Sequence, residues 1–179
     1  MEYGKFIEIK KDAQKFMFIG KAVSDDETRY FLNFAFCAEN KLISTDGRRL
    51  HMLELGDNLH RFKDKTFYRV LKMNTKTVWF VEITDKVGEF PDTWKKVMPK
   101  GKHRTINFEM ISGKLRCASN YVNIAKLIRE IPTEHAINFA FLEDLMKNVD
   151  WEVHIFEDQK ALKFVYKDLT AVIMPMDAT

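Results

Sequence analysis

A chain of 179 residues is long enough for one domain, or two small ones, built around a real core. Its 46% hydrophobic and 31% charged residues are those of a globular protein, and only 7 Gly and 4 Pro exclude a disordered chain or a long linker. The net charge of +3, with Lys and Arg mixed among Asp and Glu, excludes a like-charged nucleic-acid tail and leaves room for one locally basic face. The 15 Phe residues lean the composition toward half-buried strands. Cys37 and Cys117 form no CxxC pair and no Cys/His cluster has zinc spacing, so both read as buried free thiols in a reducing location. No apolar stretch has signal-peptide or membrane-spanning length, and the expectation is a cytoplasmic protein.

In chain order, FIEIKK (Phe6 to Lys11) alternates as a strand. A helix follows, capped by Asp12, with Phe16, Ile19 and Val23 on one face and Gly20 as a weak point. RYFLNFAFCA (Arg29 to Ala38) reads as a strand, ENK as a tight turn, and LISTDGRRLHMLEL as two strands broken at Asp46-Gly47. Gly56 to Lys65 is a polar connection. TFYRVLKM and KTVWFVEI form a hairpin around Asn74, and Pro91 and Pro99 punctuate an irregular stretch. RTINFEMISGKLRCAS is a second hairpin, turning at Ser112-Gly113. YVNIAKLIREIP alternates as a strand, with helix as the alternative. HAINFAFLEDLMKNV passes from strand into helix, with Phe141 and Leu145 on its apolar stripe, joined by Leu142 and Met146. WEVHIFE, KALKFVY and LTAVIMPM are three strands.

The two ends of the chain therefore share the order β, α, β, β, β. This predicts an α+β fold of two β-α-β-β-β units with antiparallel sheets and two helices. No Gly-rich phosphate loop, nucleophile elbow or HExxH spacing is present, and His51, His60, His103, His135 and His154 are scattered, so the chain reads as a non-enzyme that uses no cofactor and no metal.

Three stretches carry a resemblance. TRYFLNFAFCAENKLISTDGRRLHMLEL, from Thr28 to Leu55, resembles an R-Y-Y-L-N strand followed by A-T-D-G-H-R-L. EFPDTWKKVMP, from Glu89 to Pro99, resembles F-P-D-Y-x-x-V-x-P, and VIMPM, from Val172 to Met176, resembles V-M-P-M. INFAFLEDLMKNV is similar to a strand-helix unit F-N-x-x-Y-L-L-D-x-L. The first two patterns belong to the middle domain, and the last two to the last domain, of the bacterial DNA polymerase III beta sliding-clamp family. The resemblance is good over residues 28 to 55 and 134 to 176 and weak over 56 to 86. The chain is too short for the family's usual three domains. TFYRVLKMNTKTVWFVEI offers strands where a second helix is expected, and the first strand and helix of the last domain are also missing. The resemblance thus implies the DNA-clamp (processivity) fold as a single clamp-like domain spanning residues 1–179. Its first half is about 1–55, an altered join about 56–133 and the second half about 134–179.

In that family the three motifs meet in a pocket for short linear peptides of polymerases, loaders and repair proteins. The resemblance implies peptide-binding roles for Leu32, Thr45, Gly47, Arg48, Arg49, Leu50, Pro91, Val97, Phe141, Val172, Met174, Pro175 and Met176. Leu, Val and Met supply apolar lining, the prolines hold backbone shape, Gly47 permits a tight turn and close approach, and Arg49 and Arg29 orient a polar or carboxylate group. On residue types alone, the same Leu, Val and Met set reads as core. Lys95 and Lys96 read as a solvated face. The family's helices face DNA inside a ring, which points to Lys11, Lys15 and Lys21 as non-specific phosphate contacts, whereas EDLMKN is a poor phosphate surface. The expected partners are polymerase or clamp-loader type proteins, duplex DNA and further copies of the chain, with no membrane. The expected role is a processivity factor; a non-encircling adaptor or competitor that captures the same peptides, and an unrelated α+β protein, are the alternatives.

Overall fold

The computed structural model describes residues 1–90, 94–111, 118–131 and 137–175, so Pro91, Cys117, Met176 and the turn expected at Ser112-Gly113 lie outside the described residues. The chain divides into two compact units, Met1–Asp92 and Thr93–Thr179.

The first unit runs β1 (Tyr3–Ile9), α1 (Ala13–Gly20), a 3-10 turn (Glu27–Asn33), β2 (Ala35–Ala38), β3 (Lys41–Thr45), β4 (Arg49–Glu54), a second 3-10 turn (Gly56–Arg61), β5 (Thr66–Met73) and β6 (Val78–Ile83). Its strands lie in the order β1-β6-β5-β2-β3-β4, and every described pairing is antiparallel. Turn chemistry sets these connections. Glu39 and Asn40 take left-handed φ values of 51° and 63° between β2 and β3, and the Asn74 carboxamide accepts from the N–H groups of Lys76 and Thr77 between β5 and β6.

Helix α1 lies on the inner face of this sheet. The Ser44 hydroxyl donates to the Ile19 carbonyl at 2.6 Å, and His51 Nδ1 donates to the Phe18 carbonyl at 2.7 Å while its ring stacks on Phe18. A carbonyl only accepts, so Nδ1 carries the proton. Phe16, Phe62 and Phe80 pack edge and face in the same buried layer, with Ile7, Ile9 and Leu42. Gly20 ends α1 where a side chain would meet the Met73 sulfur at 2.7 Å, so the residue that weakens the helix also lets it approach β5. Asp12 stands at the N-cap with φ 61° but makes no side-chain capping bond, contrary to the expected cap; the carbonyl of Asp12 accepts from Lys15 N–H instead.

The strand expected from Arg29 begins only at Ala35. Asp26 accepts from both the backbone N–H and the hydroxyl of Thr28, which satisfies the first donor of a helical turn and diverts Glu27–Asn33 from the sheet.

The second unit comprises α2 (Trp94–Val97), β7 (His103–Glu109), α3 (Ala118–Glu130), α4 (Phe139–Glu143), β8 (Asp150–Phe156), β9 (Leu162–Tyr166) and β10 (Leu169–Ile173). Its strands lie in the antiparallel order β10-β9-β8-β7. Of the stretch YVNIAKLIREIP, read as a strand with helix as the alternative, residues 121–130 belong to helix α3. Ile124, Leu127 and Ile131 are buried at helical spacing, and α3 is tied to β7 by Asn123 Nδ2 donating to the Glu109 carbonyl and by the Arg104–Glu130 ion pair. Helix α4 is a single turn whose Asn138 side chain accepts from Ala140 N–H, and Leu142 and Leu145 are buried.

Candidate peptide-binding site

In the first unit, Thr45, Gly47, Arg48, Arg49 and Leu50 lie at or beside the β3–β4 turn, and Leu32 lies in the 3-10 turn Glu27–Asn33. Thr45 Oγ1 accepts from Gly47 N–H at 3.0 Å and donates to the Arg49 carbonyl at 2.6 Å. Asp46 Oδ1 accepts from the N–H groups of Arg48 and Arg49 at 2.9 and 3.0 Å, and Oδ2 accepts from Arg49 Nε at 3.0 Å. Arg49 Nη2 reaches back to the Lys21 carbonyl at 2.6 Å. Asp46, read from sequence as turn chemistry, is the hub of the turn, and the Arg49 guanidinium, with a side chain only 10% exposed, joins the turn to the end of α1.

Gly47 has φ +88°, and a Cβ there would stand 2.7 Å from Arg29 Nη1. The glycine thus admits the Arg29 guanidinium from the 3-10 turn. Arg48 is exposed, the Arg29 side chain is more than half exposed, and Leu32 and Leu50 are buried. This unit therefore presents a densely hydrogen-bonded turn with two cationic groups at the surface.

In the second unit, Met174 and Val97 are exposed, Phe141 and Pro175 are half-buried, and Val172 is buried in β10. Lys95 is exposed and lies over the Trp94 ring at 5.5 Å. Lys96 is exposed as well. Of the expected DNA contacts, Lys11 is exposed before α1, while Lys15 and Lys21 are half-buried. Lys21 enters the turn through its carbonyl, a role with no signal in the sequence because it depends on a bond spanning 28 residues.

No family model and no curated protein matches the chain. Solved structures do. DNA polymerase III subunit beta from Borrelia burgdorferi, in complex with a natural product, superposes with a TM-score of 0.56 at 16% identity over 99% of this chain and 64% of its own. The sliding clamp from Bartonella birtlesii bound to griselimycin gives 0.57 at 16% identity over 99% and 68%, respectively. The Helicobacter pylori beta clamp bound to a DNA ligase peptide gives 0.54 at 12% identity over 98% and 66%. The chain has the sliding-clamp fold. It covers 64% of the Borrelia burgdorferi clamp, so it spans somewhat less than two thirds of that relative's length. Among the described residues of this clamp-fold chain, no helix is long and apolar enough to cross a membrane.

Proposed function

We propose that the chain is a sliding-clamp-like DNA replication protein that binds short linear peptides of polymerase or clamp-loader type partners, without catalysis of its own. The β3–β4 turn supports this reading most directly. A peptide carboxylate or backbone carbonyl would meet Arg48 and Arg29, which stand at the surface, while Arg49 stays fixed by Asp46 and the Lys21 carbonyl and holds the turn in shape. Exposed Met174 would supply a side chain that adapts to different apolar groups. Pro91, Val97, Phe141, Pro175 and Met176 belong to the same proposal, as do self-association and duplex contact through Lys11, Lys15 and Lys21.

The test is binding of a fluorescent DNA ligase peptide of the kind held by the Helicobacter pylori clamp. Saturable binding that is lost in Met174→Asp and Arg48→Glu supports the assignment. Absence of binding, or equal binding by both variants, overturns it. Sedimentation with and without peptide separates the roles: concentration-dependent association fits a processivity factor, and a monomer that still binds peptide fits a non-encircling adaptor.

A further inference from the structure

The outer face of β1, β6 and β5 carries an arrangement that the peptide site leaves unused. Opposed residues of an antiparallel ladder share a face. Phe6 opposes Val81, which opposes Arg69; Glu8 opposes Trp79, which opposes Lys72; and Tyr3 opposes Ile83. The alternate residues Ile7, Ile9, Val78 and Phe80 point to the buried layer. Phe6, Trp79 and Tyr3 therefore lie on the opposite face, which also holds the buried Val81 and Ile83. Phe6 is 60% exposed and Tyr3 48% exposed, and Trp79 is half-buried. Among the described residues, none of these three rings stacks on another ring.

Cations surround the aromatic groups. Arg69 and Lys72 are exposed on the same face, with Arg69 Nη1 donating to the Tyr3 hydroxyl at 3.2 Å, and Lys10 continues the outward alternation of β1. Glu8 is the carboxylate among them, and Lys10 pairs with it at 3.2 Å. At the Tyr3 end, the Asp85 carboxylate accepts from Glu2 N–H. A single exposed phenylalanine is common on a protein surface; here three aromatic side chains share one face with Lys10, Arg69 and Lys72. A contact between copies would also bury aromatic groups within a polar margin, and it is the competing occupant that the sedimentation measurement separates. Aromatic rings at the surface beside Lys and Arg match the unstacked bases and phosphates of a single strand, whereas duplex bases are already stacked on one another.

We propose that this face binds single-stranded nucleic acid without sequence preference, with bases stacking on Tyr3, Phe6 and Trp79 and phosphates held by Lys10, Arg69 and Lys72. The proposal stands apart from the peptide site: no residue of the β3–β4 turn takes part.

The test is fluorescence anisotropy of labelled oligothymidylate with the full chain at low salt, beside a duplex of equal length. Single-strand binding is expected to exceed duplex binding. Phe6→Ala removes one stacking ring and is expected to weaken it roughly tenfold. With two to three phosphates engaged, log affinity is expected to fall with log salt at a slope of about −1.4 to −2, made shallower by Lys72→Gln. Trp151 and Trp94 are buried, so quenching of tryptophan emission by oligothymidylate is expected to disappear in Trp79→Phe. Phe6 and Lys72 are exposed, so their variants test the face without disturbing the core. No binding at low salt, stronger duplex binding, or affinity unchanged in both Phe6→Ala and Lys72→Gln overturns the proposal. So does a change of sedimentation mass in Phe6→Ala, which would make the face a contact between copies.

Discussion

The Arg29 guanidinium occupies the space that a side chain at residue 47 would need, 2.7 Å from the position of a Cβ on Gly47. Two demands therefore fall on one residue: a left-handed backbone at φ +88° and no side chain. Gly47→Ala is expected to destabilise the protein by about 1–3 kcal/mol. Arg29→Ala in the same chain is expected to recover the steric part and not the backbone part. Urea denaturation of the two single variants and the double variant measures the coupling. Additive effects would show that Arg29 does not press on residue 47.

Glu82 is buried, and its carboxyl is held below the ordinary glutamate range, chiefly by the hydrogen bond from Lys63 Nζ at 2.6 Å and also by Lys5 N–H, against the opposing effect of burial. A depressed carboxyl stabilises the fold above its unfolded value, about 4.3, and loses that contribution as pH falls through the folded value. The Lys63 side chain is 68% exposed, so solvent screens the pair. Lys63→Met is expected to cost ~1 kcal/mol at neutral pH and to flatten the acid limb of the stability curve. Denaturation midpoints measured from pH 7 down to pH 3 check both expectations.

His103 and His154 stack with centroids 4.3 Å apart on the second unit. Burial lowers the His154 pKa, and His103 and Lys163 lower it further, while Glu152 at 3.6 Å works against them. The unfolded chain then binds a proton more readily than the folded one. Stability from this group is complete above about pH 6.5 and declines as pH falls from there toward the folded value. His154→Gln is expected to flatten that decline, read as the difference in denaturation midpoint between pH 7.5 and pH 5.

Cys37 is fully buried on β2, and burial, with a smaller contribution from Asp64, pushes its thiol up to about 11. The thiolate is the reactive form. In a Cys117→Ser background, the folded protein at pH 8 is expected to resist a disulfide-exchange reagent and to react promptly once urea unfolds it. Rapid labelling of the folded protein would show that β2 opens readily.

The hairpins were legible in the sequence because their chemistry is local. Asp46-Gly47 and Asn74 each satisfy the backbone within three residues, and neither needs the rest of the fold. Helix α3 was legible only as the alternative to a strand. Exposed Tyr121, Val122 and Ile128 sit among buried Ile124 and Leu127, so the apolar residues fit period 2 as well as 3.6, and only packing on β7 decides between them. The aromatic run Tyr30-Phe31 suggested a strand, but the single carboxylate of Asp26 outweighs that preference by starting a helical turn. The motif at Thr45 to Arg49 was readable as a turn; the bond from Arg49 to the Lys21 carbonyl was not, since it needs α1 packed on the sheet. The aromatic face of β1, β6 and β5 was hidden for the same reason: its residues meet only through strand pairing.

Strand β1 lies at one end of the first unit's strand order, and its register slips between Tyr3 and Phe6. Gly4 sits in that slip, where a side chain would meet Thr84 and the Glu82 carboxyl, and Lys5 N–H donates to the Glu82 carboxylate of β6 rather than to a backbone carbonyl. A strand with an uneven row of donors and acceptors is a poor template for another chain. The irregularity of β1 is therefore expected to slow fibrillar growth at high concentration. Deleting Gly4, which would straighten the strand, is expected to shorten the lag before turbidity appears in agitated solutions.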